Sequence, residues 1–180
     1  MKKSLDVPAV SGRPPAAAIA LVVLGAVLFS RIAPAAERQQ SETLFGVTIT
    51  DPWRTKATVE ALAALPRKTT ARIVFDEFVP AAEYEGIPSQ IAEVAYTMGE
   101  LLDSFYVREY SLSAYSRRAA EYVGAFDKDI DIWEIGNEVN GEWLGPAAEV
   151  VSKIKSAYDI VKQAGGATAI TLYYNDGCWE

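Results

Sequence analysis

The chain contains no histidine among its 180 residues. This absence excludes His-based catalytic triads, histidine general bases and the commonest zinc ligand. Cys178 is the single cysteine, so the chain can form neither an internal disulfide nor a cluster of thiolate metal ligands. We therefore expect no cofactor and no metal. Any acid–base chemistry must come from carboxylates, lysine or tyrosine.

Basic residues are also scarce over most of the chain. The formal net charge is -7, and the first 35 residues carry four basic residues against one acid, Asp6, so the remainder has a net charge of -10. A surface of this sign repels phosphate backbones, and we expect no nucleic-acid partner. Half of the residues are hydrophobic, which is enough to build the core of one domain.

The N-terminal segment has the features of an export signal. Two lysines near the start precede 14 uncharged apolar or small residues, 16–29, and small residues follow around Ala35 and Ala36. The run is short for a bilayer core, which needs about 20 residues. Arg31 lies between the run and the expected cleavage site, which favours the alternative of an uncleaved anchor. Residues 1–36 are thus interpreted as a signal peptide or N-terminal anchor.

This interpretation sets the expected location. A cleaved signal predicts a secreted or periplasmic protein without a stable membrane partner. An uncleaved segment predicts a membrane-anchored protein that faces outside.

Beyond residue 40, short β-branched runs alternate with helical patterns. Strands are predicted at 45–50, 71–76, 104–107, 130–138 and 169–174, and helices at 55–65, 91–102, 115–126 and 147–164. Repeated βα units predict an α/β fold with a parallel sheet, either doubly wound or closed as a barrel. No glycine-rich turn follows the first strand, which argues against a nucleotide-binding Rossmann fold.

The fourth predicted strand ends in Trp133-Glu134-Ile135-Gly136-Asn137-Glu138. An amide and a carboxylate thus follow a mostly apolar strand at its carboxyl end, where α/β proteins build their active sites. Glycoside hydrolysis needs two carboxyl groups that flank the scissile bond. Glu138 is suitably placed to be the proton donor, and Asn137 offers an amide that can bind a sugar hydroxyl.

This segment resembles the fourth-strand motif of the clan A glycoside hydrolases, retaining (β/α)8 enzymes that include many cellulases, mannanases and galactanases. The resemblance implies a TIM (β/α)8-type barrel, truncated after about five βα units, over residues 37–180. It also implies an oligo- or polysaccharide substrate with β-linkages, and Glu138 as the acid/base. In that clan the nucleophile is a glutamate on the seventh strand, so these 180 residues are expected to be inactive alone. Val139 departs from the proline that many members have after the Asn-Glu pair.

Three further residues are candidates for substrate binding. Arg72 matches a second-strand arginine that orients the nucleophile in many clan members; it is equally well placed to form a buried structural pair with Glu134, and both roles can coexist. Trp143 and Tyr174 fall in loops after strands, where aromatic rings stack on sugars or simply pack within the loop.

Two other functions are compatible with the same residues. The first is a secreted carbohydrate-binding pseudoenzyme, or a decayed fragment, that lacks catalysis. The second is an exported α/β domain of unrelated role, in which the Asn137-Glu138 pair occurs by chance.

Overall fold

A computed structural model of the chain describes residues 44–174. The expectations for the N-terminal signal or anchor and for Cys178 concern residues outside this range. Five strands alternate with four α-helices: β1 Gly46–Ile49, α1 Thr55–Ala63, β2 Thr70–Val74, α2 Ile87–Ala92, β3 Tyr96–Glu100, α3 Leu112–Phe126, β4 Ile132–Gly136, α4 Ala147–Gln163 and β5 Ala167–Ile170. Between residues 44 and 174, no helix is long and apolar enough to cross a membrane.

The five strands form one parallel sheet in the order β1-β2-β3-β4-β5. Each strand therefore pairs with the next one in the chain, and the order does not reverse as it does in doubly wound folds. Because every crossover joins adjacent parallel strands and such crossovers are right-handed, the helices are expected on one face of the sheet. The α/β prediction with a parallel sheet is confirmed.

Large apolar side chains cover the helix-facing side of the sheet. Phe75, just after β2, contacts Tyr122 and Phe126 of α3, with ring centroids 4.7 and 5.9 Å away. Trp133 of β4 is fully buried on the same side, opposite Gly99 of β3 in the register. A Cβ atom at Gly99 would lie 2.9 Å from the Trp133 ring, so only glycine leaves room for the indole.

The other face of the sheet carries charge. Arg72 of β2, Glu100 of β3 and Glu134 of β4 lie on this face, and Glu100 and Glu134 are direct register neighbours. Both glutamates are buried. Side chains from three consecutive strands therefore meet in one cluster.

The sequence prediction was wrong between residues 91 and 107. The apolar residues from Ile91 to Leu102 have helical spacing, yet α2 ends at Ala92 and residues 96–100 form β3. The buried residues Ala95, Thr97 and Gly99 occur at every second position, which is the spacing of a strand. Their segment pairs with β2, and this pairing selects the strand over the helix that the apolar spacing also allows.

The segment 104–107, predicted as a strand, is part of a 3-10 helix, Ser104–Glu109. The Asp103 carboxylate accepts a hydrogen bond from the Phe105 amide and so caps this helix. The two errors compensate in the strand count, because one strand moved along the chain and none was lost. The strand that ends before Asn137 is still the fourth.

Candidate active site at the carboxyl edge of the sheet

Glu138 lies directly beyond β4, at the carboxyl edge of the sheet. Its Oε2 accepts a hydrogen bond of 2.9 Å from the Ser104 hydroxyl, and its backbone N–H donates to Thr171 Oγ1 at 3.0 Å. The side chain is half-buried. A carboxylate has about four acceptor positions, so the serine contact leaves capacity for a ligand.

The backbone of Glu138 has a positive φ of 46°. Residues other than glycine, asparagine and aspartate seldom adopt this left-handed conformation, and such strain clusters at functional sites. Two backbone hydrogen bonds fix the turn that begins at Glu138: the Val139 N–H donates to Thr171 O, and the Gly141 N–H donates to Glu138 O. The fold therefore holds the Glu138 carboxylate in one direction at an energetic cost.

The Asn137 amide is bound to the protein at both ends. Its Oδ1 accepts from the Ser104 N–H at 3.0 Å, and its Nδ2 donates to Thr171 Oγ1 at 3.2 Å and to Glu134 Oε1 at 3.4 Å. Asn137 thus links the loop after β3 to the loop after β5. Its expected contact with a sugar hydroxyl stays a prediction.

Arg72 forms ion pairs with two carboxylates on neighbouring strands. Its Nε donates to Glu134 Oε2, and its Nη2 lies 3.1 Å from Glu100 Oε2. The structural pair of Arg72 with Glu134 is therefore confirmed. Burial acts to lower the Arg72 pKa, but the hydrogen bond to Glu134 and the charges of both glutamates outweigh it, so the pKa is raised.

The Glu134 carboxylate accepts three hydrogen bonds. Besides the Arg72 bond, its Oε1 accepts from Thr171 Oγ1 at 2.8 Å and from the Asn137 amide. Thr171 is consequently the shared partner of Glu134, Asn137 and the Glu138 backbone. A single hydroxyl connects the buried cluster to the candidate catalytic carboxylate.

Glu100 is the other buried carboxylate that Arg72 contacts. It is 1% exposed, and Arg72, whose Nη2 lies 3.1 Å from Glu100 Oε2, is its charged partner among the described residues. Burial raises its pKa to about 7, the Arg72 charge acts in the opposite direction, and the charges of Glu134 and Asp103 raise it further. Burial therefore makes the Glu100 carboxyl easier to protonate than an ordinary glutamate.

The Trp143 indole lies against the candidate site. Its Nε1 donates to Ser104 Oγ at 3.1 Å, so Ser104 receives a hydrogen bond from Trp143 and donates one to Glu138. The indole ring also packs edge-to-face with Tyr173, with centroids 4.9 Å apart. Tyr174, by contrast, is 81% exposed at the end of the described range. The structure thus brings Glu138, Asn137, Trp143 and, through Glu134, Arg72 together, and the predicted role of Tyr174 in substrate binding stays a prediction.

Asp76, at the end of β2, is held by other side chains. Its Oδ2 accepts from the Tyr84 hydroxyl at 2.9 Å and from Trp53 Nε1 at 3.2 Å. The Trp53 ring stacks on Tyr84 with centroids 4.6 Å apart. Through these hydrogen bonds the Asp76 carboxylate joins the loop after β1 to the loop after β2.

Sequence reasoning missed three residues of this site: Glu100, Ser104 and Thr171. Glu100 lay in a stretch predicted as a helix, and Ser104 in one predicted as a strand. The pair Asp103-Ser104 is a typical helix-capping signal that could have indicated the turn. Thr171 carried no signal of its own, because its partners are more than 30 residues away in the chain.

Comparisons of the chain with protein-family models, with curated proteins and with solved structures found no match. The chemistry of the site must therefore be judged from its geometry. The edge combines an accessible carboxylate, a buried cation–carboxylate cluster beneath it and aromatic rings beside it. Among residues 44–174, no group of three or more acidic or cysteine side chains is arranged to hold a metal ion. Such a site can transfer protons to and from a neutral, hydroxyl-rich ligand.

Proposed function

We propose that this edge is the acid/base half of a retaining glycoside hydrolase site that acts on β-linked glycans. Glu138 protonates the leaving glycosidic oxygen in the first step and deprotonates the attacking water in the second. Asn137 positions the substrate beside it. Arg72 holds the interior of the site and orients the nucleophile, which in the clan A enzymes lies on a seventh strand, outside the five strands described.

One observation carries this proposal above all. Glu134 lies on the fourth strand and Glu138 just beyond its end. The Glu134 carboxylate is hydrogen-bonded by Arg72, Thr171 and Asn137. The Glu138 carboxylate, at the edge of the sheet, is hydrogen-bonded by Ser104. A carboxylate kept accessible at the cost of a strained backbone fits an acid/base role.

The sequential parallel sheet supports a partial (β/α)8 barrel. In such a barrel each strand pairs with the next, and the inward face carries side chains from alternate positions. The edge strands of the described sheet expose apolar side chains, including Val47 of β1 and Ile170 of β5. Closure into a barrel would pair both edges.

The test uses the complete product of the gene's reading frame and a β-linked oligosaccharide substrate. Glu138→Gln removes the transferable proton and keeps the shape, so kcat should fall by about 10²- to 10⁴-fold. Glu142→Gln changes an exposed carboxylate of the next turn and should leave kcat unchanged. Azide should restore turnover of Glu138→Ala on an activated aryl glycoside, because azide attacks the glycosyl-enzyme without a general base. Full activity of Glu138→Gln would contradict the assignment.

The 180 residues alone give a second readout. Because the proposed nucleophile lies on a later strand, they should bind β-linked oligosaccharides without hydrolysing them. Turnover by this chain would show that the nucleophile lies within it. Binding without hydrolysis by the complete gene product would instead favour the carbohydrate-binding pseudoenzyme.

A further inference from the structure

Two exposed phenylalanine rings lie at the same edge as Glu138. Phe78, in the loop after β2, is 65% exposed, and Phe105, in the 3-10 helix after β3, is 67% exposed. Tyr106 lies between them, with ring centroids 6.2 Å from Phe78 and 5.5 Å from Phe105. We call Phe78, Phe105 and Tyr106 the aromatic platform. Exposed aromatic side chains that lie together are candidates for a binding site.

The backbone holds Phe78 in an unfavourable conformation. Its φ is 58°, a left-handed value that is unusual for a bulky residue. The Phe78 N–H donates to the Tyr110 hydroxyl at 2.9 Å, and the Tyr110 ring stacks on Phe78 at 5.3 Å with planes 13° apart. Because Tyr110 covers one face of the ring, the exposed area belongs mainly to the opposite face.

Buried cations fix the loops that carry these rings. Arg118 donates to the carbonyl oxygens of Phe75, Asp76, Val79 and Leu101. The Lys153 ammonium donates to Val107 O at 2.9 Å. Loops whose backbone is already fixed lose little entropy when a ligand binds to their side chains. The platform is therefore preorganised.

The platform is directly connected to the candidate active site. Phe105 follows Ser104, whose hydroxyl donates to Glu138 Oε2 and whose N–H donates to Asn137 Oδ1. Neighbouring Cα atoms are about 3.8 Å apart. The 3-10 helix that carries Phe105 therefore also holds the Glu138 carboxylate, and the platform and Glu138 lie at the same edge of the sheet.

The charges around the platform select among ligands. The Tyr106 hydroxyl hydrogen-bonds the Glu77 carboxylate, which raises the pKa of Tyr106, and Asp103 and Glu109 lie close enough to act in the same direction. Arg108 is the one basic residue of this 3-10 helix. Carboxylates accept hydrogen bonds from sugar hydroxyls and repel anionic ligands.

The ring geometry argues against an alternative, a cage for an ammonium ligand. Such cages enclose a cation between aromatic faces. Here the rings contact one another at centroid separations of 5.3 to 6.2 Å and leave no enclosed space between them. The platform offers open ring faces instead.

We propose that the aromatic platform is a sugar-binding subsite, which stacks a neutral pyranose unit of a β-linked glycan next to Glu138. This assignment rests on the proposed glycosidase function for its catalytic meaning. The binding of sugar by the platform can be tested without catalysis.

The experiment titrates the 180-residue chain with tetrasaccharides of β-1,4-linked glucose, mannose and galactose, followed by calorimetry and amide NMR shifts. At least one should bind, with shifts centred on residues 77–78 and 103–106. Phe105→Ala should weaken its affinity by about three- to tenfold, the size of one aromatic stacking contact. Phe105→Trp should retain it. The matched control is Phe45→Ala, an exposed phenylalanine at the opposite edge of the sheet, which should bind as the parent does.

Three outcomes would overturn the inference: no neutral tetrasaccharide binds at millimolar concentration, Phe105→Ala binds as the parent does, or tetramethylammonium or a β-1,4-linked mannuronate tetramer binds the platform more tightly than the neutral sugars. Failure of the catalytic proposal looks different. If Glu138→Gln keeps full hydrolysis while Phe105→Ala loses affinity, the subsite stands and the acid/base assignment falls.

Discussion

Glu134 lies on β4 and Glu138 lies four residues later, just beyond the end of that strand, yet the two regions around them differ in kind. The buried cluster of Arg72, Glu100 and Glu134 holds two carboxylates that are about 1% exposed around one guanidinium. The rim around Glu138 has a half-buried carboxylate with a serine as its side-chain donor. The first region pairs buried charges across three neighbouring strands. The second keeps a carboxylate available.

The difference shows how a single strand can serve both purposes. Burial makes an unpaired charge costly, and Glu134 is matched by Arg72, Thr171 and Asn137. Four residues later, Glu138 is half-buried, and its energetic cost is backbone strain rather than desolvation of the carboxylate. The expected behaviour of variants in the two regions follows from this contrast.

Replacement of Arg72 should have the largest effect. Arg72→Leu leaves Glu100 and Glu134 buried without a cation, so the free energy of unfolding should fall by about 3 to 5 kcal/mol, as measured by urea denaturation at pH 7. Arg54→Leu is the matched control. Arg54 is 81% exposed in its pair with Asp51, and its loss should cost less than about 1 kcal/mol.

A second substitution sharpens this result. Adding Glu134→Gln to Arg72→Leu removes the buried Glu134 charge that has lost its cation and should restore part of the stability. If Arg72→Leu is as stable as Arg54→Leu, the cluster does not hold the strands together.

Glu100→Gln should produce the next largest effect, and its sign depends on pH. The pKa of Glu100 is raised in the folded protein to about 7, so the folded state binds the proton more tightly than the unfolded state does. Its contribution to stability is therefore greatest below the ordinary glutamate pKa and is lost as the pH rises through about 7. Glutamine imitates the protonated form. The variant should match the parent near pH 4.5 and exceed it at pH 8 by on the order of 2 to 3 kcal/mol.

The control for this pH profile is Glu93→Gln, an exposed carboxylate at the end of α2. The difference in unfolding free energy between Glu93→Gln and the parent should change little between pH 4.5 and 8. A parallel profile for Glu100→Gln and the parent would mean that Glu100 is ionised in the fold throughout this range.

The sequence predicted the α/β class with a parallel sheet, and it indicated about half of the residues that the structure brings together at the candidate site. Alternating β-branched and helical runs were sufficient for the α/β class, and the apolar body of residues 132–136 was sufficient for β4. The pairing of Arg72 with Glu134 followed from alternation on two strands and from the need of a buried acid for a cation. These inferences succeeded because periodicity and charge compensation are local or pairwise properties.

The remaining residues depended on tertiary contacts. The stretch 91–100 fits a helix and a strand by spacing, and only the pairing with β2 and the packing of Trp133 over Gly99 select the strand. Ser104 and Thr171 gain their roles from partners on other strands. Likewise, the platform depends on the positive φ of Phe78, which the sequence did not indicate.

Backbone strain at Glu138 gives the smallest predicted effect. At ordinary positions alanine is more stable than glycine by about 0.4 to 1 kcal/mol, because glycine gains more freedom on unfolding. At a φ of 46° this order should reverse, since a Cβ atom disfavours the left-handed region. Glu138→Gly should therefore be more stable than Glu138→Ala by about 1 kcal/mol in urea denaturation. Both variants lose the Ser104 contact equally, so their difference isolates the strain.

The same pair of substitutions at Glu93 should show the ordinary order, because its φ of -61° is helical. If alanine is the more stable replacement at both positions, the turn at Glu138 relaxes freely and the rim stores no strain. If the order reverses at position 138 alone, the fold keeps this carboxylate in place against the preference of its own backbone. Selection for stability alone would favour glycine at that position, so the glutamate there is best explained by what its side chain does.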